Sequence, residues 1–131
     1  MQDKELVKYA MDMMAYAHVP YSKFTVGAAL LCEDGSVYGG CNVEGSSFGN
    51  TICAERTALV KAVSEGKKRF KTLAVVASCD DYCSPCGICR QFLADFGTDL
   101  RVLCANRHGE YIEKTIDELL PMAFTGEALN A

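Results

Sequence analysis

The chain has 131 residues, of which half are apolar and 23% are charged, and its formal net charge is −4. This length and composition predict one globular domain over 1–131, with a core large enough to need no disulfide scaffold. The acidic balance argues against nucleic acid as a partner, because phosphate neutralisation requires clustered lysine and arginine.

The first half of the sequence predicts a helix, a hairpin and a second helix. Apolar residues at helical spacing favour a helix over 3–17, whose many charges are not typical of a signal peptide. Two apolar runs, 24–32 and 37–41, flank an EDGS turn and predict paired strands. After a polar loop, the helical pattern resumes over 54–65. No run is long enough to span a membrane, so we expect a cytoplasmic protein with no membrane partner.

The second half of the sequence alternates strands and helices. Strands are predicted over 72–78 and 100–105, and the helix between them has Pro85 in its first turn. The expected buried face of this helix comprises Ile88, Phe92 and Phe96. A capping box, TIDE, opens a short last helix. A hairpin followed by strand–helix–strand crossovers predicts an α/β fold, with three α/β/α layers around a mixed, roughly five-stranded sheet.

Three cysteines lie at the predicted starts of two helices. Cys86 and Cys89 form a C-x-x-C pair at one start, and Cys53 stands at the other. A thiolate at a helix N-terminus is stabilised by free N–H groups and by the helix dipole, and three thiolates plus water make the open form of a zinc site. Glu55, two residues after Cys53, would lie close to the metal without binding it. It could take a proton from water and deliver it to a substrate.

Arg56 directly follows this glutamate. Three thiolates on zinc leave a net charge of minus one, which weakens the effect of the metal on water. A guanidinium that donates hydrogen bonds to the sulfurs would offset part of this charge. Most arginines are exposed surface residues, but beside these neighbours we interpret Arg56 as a residue that supports the metal site.

The other cysteines leave one alternative open. Cys79 and Cys83 precede Cys86 and Cys89 in the pattern C-x3-C-x2-C-x2-C, which could form a closed four-thiolate zinc or iron–sulfur site. The protein would then be a non-catalytic metal-binding or redox module. Such a site has no use for Glu55, so we favour the open, catalytic arrangement with one zinc ion per chain.

Five motifs follow one another along nearly the whole chain: PYSKFTVGAALL (20–31), GCNVE (40–44), TICAERTAL (51–59), SPCGICRQ (84–91) and ELLPMAF (118–124). In these motifs the sequence resembles the cytidine deaminase family, and within it the small, homotetrameric branch with three zinc-binding cysteines. A ligand two residues before Glu, followed by P-C-x-x-C, is typical of zinc deaminases. The resemblance implies deamination of cytidine and deoxycytidine to uridine and deoxyuridine in pyrimidine salvage, with release of ammonia.

The resemblance also implies roles for individual residues. Cys53, Cys86 and Cys89 match the zinc ligands, and Glu55 matches the residue that moves protons. The implied substrate contacts are Phe24 on the pyrimidine, Asn42 and Glu44 on the ribose hydroxyl, the Ala54 backbone on the base, and Phe124 from a neighbouring subunit. The implied assembly is therefore a homotetramer with shared active sites, acting on a small nucleoside.

Two positions depart from the family pattern. Gly45 and Phe48 stand where many relatives have Asn and Tyr, in a loop that the resemblance places at a subunit boundary. Compared with those relatives, Gly45 lacks a side-chain amide and Phe48 lacks a hydroxyl group. These differences could change which substrates are accepted, but not the metal chemistry. The alternative enzyme is a deaminase of another aminopyrimidine nucleoside, such as a nucleoside antibiotic, although Asn42 and Glu44 favour ribose.

Overall fold

The computed structural model describes residues 1–129, which form one five-stranded sheet with helices around it. The strands are β1 (Val26–Cys32), β2 (Val37–Cys41), β3 (Phe70–Ala77), β4 (Arg101–Ala105) and β5 (Tyr111–Thr115). The helices are α1 (Asp3–Met13), α2 (Ala54–Ser64), α3 (Gly87–Ala94), α4 (Ile116–Leu119) and α5 (Gly126–Leu129). Among the helices in this part of the chain, none is long and apolar enough to cross a membrane.

The sheet is mixed, as predicted. Its strand order is β2-β1-β3-β4-β5, in which β3 and β4 are parallel and the other neighbouring pairs are antiparallel. Parallel neighbours require a crossover connection, and α3 supplies it. The loop that leads into α3 therefore leaves the sheet at the carboxyl end of β3, whereas β4 begins at the opposite edge.

Helices cover both faces of the sheet. Successive residues of a strand point to opposite faces, and the core divides accordingly. On one face Leu30 packs with α2 and α3 through residues that include Leu59 and Leu93. On the other face Ala29 packs with α1 through residues that include Leu6. The predicted three-layer α/β/α architecture is confirmed.

The predicted orientation of α3 is wrong. Ile88 is 64% exposed and Phe92 is 36% exposed, whereas α3 buries Cys89 and Leu93. Residues four apart share one face of a helix, so the sequence contains two adjacent apolar stripes. The stripe that carries Cys89 faces inward. Phe96 is partly buried against the core, as the pattern predicts.

Several element boundaries also differ from the predictions. α1 ends at Met13 and continues as a 3-10 turn over Met14–Tyr16, so the regular helix is shorter than 3–17. Pro85 lies outside α3, because Cys86 is the N-cap residue of that helix. β5 lies in a segment to which the sequence pattern assigns no strand, since this edge strand exposes both apolar and charged side chains.

Candidate metal centre

Two helix N-termini converge on one face of the sheet. Cys53 is the N-cap residue of α2 and Cys86 is the N-cap residue of α3. Both helices pack into the same core cluster. Gly40 in β2 permits the close approach of α2, because a Cβ atom at this position would lie 2.3 Å from the Ala54 carbonyl oxygen. The N-cap position leaves each cysteine next to N–H groups that have no partner within the helix.

The three predicted ligand sulfurs lie together. The Sγ atoms of Cys53 and Cys86 are 3.6 Å apart, and those of Cys86 and Cys89 are 3.4 Å apart. Thiolates about 2.3 Å from a tetrahedral zinc ion are separated by roughly 3.8 Å, so small adjustments would place all three on one ion. Within residues 1–129 these cysteines form the one group of three or more potential ligands, and Cys79 and Cys83 lie outside it. The described residues therefore do not form the four-thiolate site.

The charge balance of the cluster fits a cation. The hydrogen bond with Cys89 lowers the pKa of Cys53 to about 5, and Arg56 and Cys86 act in the same direction. The same hydrogen bond and burial raise the pKa of Cys89 far above its usual range. The thiol of Cys53 therefore loses its proton easily. The negative charge that forms there opposes the loss of a proton from Cys89 beside it. A divalent cation would remove this resistance, so the donor set is that of a zinc site.

Arg56 lies beside the cluster and reaches one of its sulfurs. Its Nη2 is 3.5 Å from the Sγ of Cys53 and 3.3 Å from the carbonyl oxygen of Thr51. The Nε atom is buried and has no hydrogen-bond partner among residues 1–129. The sequence predicts hydrogen bonds from Arg56 to several sulfurs, whereas the distances and angles of the structure give one, to Cys53. The positive charge nevertheless lies where it can offset the charge of the thiolates.

Glu55 is the second residue of α2 and is only 4% exposed. Burial raises its pKa to about 7, and the negative charge on Cys53 acts in the same direction. A carboxyl group with a pKa near neutrality can both accept and donate a proton at physiological pH. The chain therefore places a buried carboxyl group, whose pKa lies near neutrality, beside the sulfur cluster.

A cavity of about 200 Å³ opens beside Glu55. Six of the predicted site residues line it: Phe24, Asn42, Cys53, Ala54, Glu55 and Cys86. The remaining lining residues are Val26, Thr51, Cys83 and Ser84, and none of them is predicted from the sequence to contact the substrate. All but Cys83 belong to the conspicuous sequence motifs, so their position within those motifs was the available signal.

Asn42 and Glu44 are held in place by the backbone around the cavity. The Oδ1 atom of Asn42 accepts from the backbone N–H of Val26 at 2.9 Å, and its Nδ2 donates to the carbonyl of Phe24 at 2.9 Å. The Oε1 atom of Glu44 accepts from the two N–H groups of residues 21–22 at 3.1 Å each. An amide nitrogen carries two N–H donors and a carboxylate accepts about four hydrogen bonds. Both side chains therefore keep capacity for a ligand, although Glu44 does not line the cavity itself.

Phe124 lies away from the cavity of its own chain. Its side chain is 60% exposed. The Nε2 atom of Gln91 donates a hydrogen bond to its carbonyl oxygen, so α3 holds the backbone at this point. Phe124 does not line the described cavity, so its predicted contact with a substrate stays a prediction about a neighbouring chain.

The loop that departs from the family pattern has an unusual local structure. Phe48 has a positive φ of 61° and packs edge-to-face on Tyr21, with ring centroids 5.4 Å apart. A Cβ atom at Gly45 would lie 1.8 Å from the Oδ1 of Asn50. The Asn50 amide thus occupies the space that a side chain at position 45 would need.

The fold and the site together define a class of protein. A mixed sheet that carries three cysteines and a buried glutamate at two helix N-termini is the architecture of the zinc-dependent deaminases. The family model for the "Cytidine and deoxycytidylate deaminase zinc-binding region" matches residues 1–105. The chain belongs to the cytidine deaminase family.

Individual relatives agree with this assignment. The chain is 49% identical to a cytidine deaminase from Sporosarcina psychrophila, over 99% of this chain and 96% of that protein. The crystal structure of cytidine deaminase from Burkholderia pseudomallei superposes with a TM-score of 0.91 at 41% identity, over 95% of this chain and 100% of that chain. A blasticidin-S deaminase from Bacillus cereus is 33% identical, over 95% of this chain and 93% of that protein.

Proposed function

We propose that this chain is a zinc-dependent hydrolase that converts cytidine and 2′-deoxycytidine, with one water molecule, to uridine and 2′-deoxyuridine and ammonia. The observation that carries the proposal is the buried carboxyl of Glu55, which lines a cavity beside three converging sulfurs. Family membership and the similarity to cytidine deaminases support the same reaction.

The proposed roles follow from position and chemistry. Cys53, Cys86 and Cys89 would hold one zinc ion, which when bound acts as a Lewis acid and makes water more acidic. Glu55 takes a proton from the attacking water, passes a proton to the ring N3 of the base, and then protonates the leaving amine. A pKa near 7 suits all three steps, because the group must be charged in one and neutral in the next.

The substrate contacts are proposed from the groups that keep binding capacity. The flat base would lie against Phe24 and the backbone of Ala54, both on the wall of the cavity. The second N–H of Asn42 and the remaining lone pairs of Glu44 would bind a ribose hydroxyl. Because the chain already fixes both side chains through backbone hydrogen bonds, little conformational entropy is lost when they bind a sugar.

The assembly is proposed to be a homotetramer with shared active sites. Phe124, Ile88 and Phe48 each expose more than half of an apolar side chain. These side chains are free to pack against a neighbouring chain, and an apolar patch that such side chains formed would be typical of a protein–protein interface. Phe124 would then enter the cavity of a neighbouring chain.

The location is proposed to be cytoplasmic. All eight cysteines are free thiols, which agrees with a reducing compartment.

The antibiotic alternative has one observation in its favour. A blasticidin-S deaminase is related to the chain, but at 33% identity against 49% for a cytidine deaminase. The retained Asn42 and Glu44 favour a ribose substrate over the altered sugar of an antibiotic. Cytidine is therefore the better supported substrate.

The test is an ultraviolet assay with zinc-loaded protein. Cytidine and deoxycytidine should lose their absorbance on conversion to uracil nucleosides, whereas free cytosine, which has no sugar for Asn42 and Glu44, should react poorly. An aminopyrimidine nucleoside antibiotic serves as the competing substrate. Preferential turnover of the antibiotic would favour the alternative, and no turnover of any nucleoside would contradict the proposed enzyme.

A further inference from the structure

Arg90 makes three side-chain hydrogen bonds that join two separate segments of the chain. Its Nε donates to the carbonyl oxygen of Pro85 at 2.7 Å, and its Nη2 donates to the Oγ of Ser84 at 3.1 Å. Its Nη1 donates to the carbonyl oxygen of Leu119 at 2.8 Å. One guanidinium therefore binds both the arm that precedes Cys86 and the last residue of α4.

The arm over residues 84–85 is the part of the metal centre that most needs such support. Cys89 lies within a helix and is buried, whereas Cys86 is an exposed N-cap residue. Packing around its side chain therefore contributes little to its position. The direction of Cys86 is set mainly by the backbone before it, and Arg90 binds that backbone.

The second segment held by Arg90 leads directly to Phe124. Gln91, the next residue, donates a hydrogen bond to the carbonyl oxygen of Phe124. Arg90 and Gln91 thus attach residues 119–124 to α3 at two points. The helix that carries Cys89 is the common support of the metal arm and of this C-terminal segment.

We propose that Arg90 is a positioning residue that holds Cys86 in ligating geometry and couples the metal arm to the segment that presents Phe124. This inference deepens the proposed function and rests on it. Three acceptors in two directions match the planar, five-donor fork of arginine, whereas the single ammonium group of lysine cannot reach them together. Charge alone should therefore not replace Arg90.

The test compares Arg90→Lys with a matched control, Arg101→Lys. Arg101 also bridges separate segments, since it binds Asp3, Thr72 and Glu113, but it lies at the start of β4, at the edge of the sheet opposite the metal arm. Both variants keep the charge and lose the fork. The measurement is zinc loss from the loaded protein to excess chelator, followed with a zinc-sensitive dye and without substrate.

Arg90→Lys should weaken zinc binding about 10–100-fold, the usual effect of removing a group that orients a metal ligand. Arg101→Lys should lower the melting temperature and leave zinc binding unchanged. At saturating zinc, Arg90→Lys should raise KM more than it lowers kcat, because Glu55 is untouched while the segment that carries Phe124 loosens. Zinc binding equal to wild type in Arg90→Lys, or equally weakened in Arg101→Lys, would overturn the proposal.

A second variant covers the case in which Arg90→Lys does not fold. Ser84→Ala removes one acceptor and leaves the other two bonds of Arg90, so it should weaken zinc binding in the same direction by a smaller factor. Unchanged zinc loss in Ser84→Ala would then contradict the role of the arm. The zinc measurement uses no nucleoside, so its outcome is separate from that of the deaminase assay.

Discussion

Replacing Glu55 with glutamine separates proton transfer from metal binding, because the two side chains have nearly the same shape. Glutamine keeps the volume inside the buried first turn of α2 but has no proton to exchange at neutral pH. None of the three sulfurs is altered, so zinc should stay bound. Proton transfer by a positioned group contributes about 10²–10⁴-fold to a rate, and kcat should fall by that factor. This corresponds to about 3–5 kcal/mol of transition-state stabilisation.

The same substitution should change the pH dependence of stability in the metal-free protein. Glu55 has a folded pKa of about 7 against 4.5 for the free side chain, so the folded state retains a proton that the unfolded chain releases. Below pH 4.5 both states are protonated and the group has no effect. Between the two pKa values the wild type loses stability as the pH rises, and above pH 7 the loss is complete, at about 3 kcal/mol.

Glutamine remains neutral in both states and has no such dependence. The free energy of unfolding of metal-free Glu55→Gln, relative to metal-free wild type, should therefore rise by about 3 kcal/mol from pH 4.5 to pH 7.5. Urea denaturation at several pH values measures this difference in the free energy of unfolding. A metal assay checks that Glu55→Gln retains zinc, and single-turnover kinetics measures the fall in its catalytic rate. A parallel pH dependence in the two proteins would refute the burial argument. Near wild-type turnover of zinc-loaded Glu55→Gln would refute the role in proton transfer.

The other predictions concern the ligands, the substrate boundary and the assembly. Cys86→Ala should lose zinc in a metal assay while Cys79→Ala keeps it, because Cys86 belongs to the sulfur cluster and Cys79 does not. An empty site in Cys79→Ala would support the four-thiolate alternative. Deoxycytidine monophosphate should react much more slowly than deoxycytidine in the ultraviolet assay, because no cationic side chain lines the described cavity to bind its phosphate, and equal rates would contradict this. Phe124→Ala should raise KM and leave zinc content unchanged, because it removes stacking area and no ligand. Light scattering with activity measured on the same fractions checks the assembly, and a fully active monomer would contradict shared sites.

The metal centre could be predicted from the sequence because its geometry is local. Cys53 and Cys86 are N-cap residues, and each is the boundary between a loop and a helical pattern. Such boundaries can be recognised from short stretches of sequence, and ligands three residues apart must lie on one side of a helix start. The alternation of strands and helices predicts the three layers. It does not by itself determine which face of the sheet each helix covers, because that also depends on the order of the strands.

The orientation of α3 and the walls of the cavity could not be predicted in the same way. Ile88 and Phe92 form an apolar stripe as regular as that of Cys89 and Leu93, and periodicity alone does not choose between them. The choice depends on how the helix packs against the sheet, which buries the stripe of Cys89 and Leu93. Ser84 lines the cavity, and its Oγ accepts a hydrogen bond from Arg90, but the motif that contains both residues does not by itself show which of its side chains face the cavity.

The structure of one helical turn explains why cysteine, glutamate and arginine are so close together in the sequence. At the N-cap, Cys53 gains the free N–H groups and the positive end of the helix dipole, both of which favour a thiolate. Arg56, three residues later, lies on the same side of the helix and returns to the Cys53 sulfur at 3.5 Å. Glu55 lies between them in sequence and on a different side, where burial raises its pKa. In the proposed enzyme, a single turn would therefore supply a ligand, a group that transfers protons and a compensating charge, and the start of α3 would add the two remaining sulfurs.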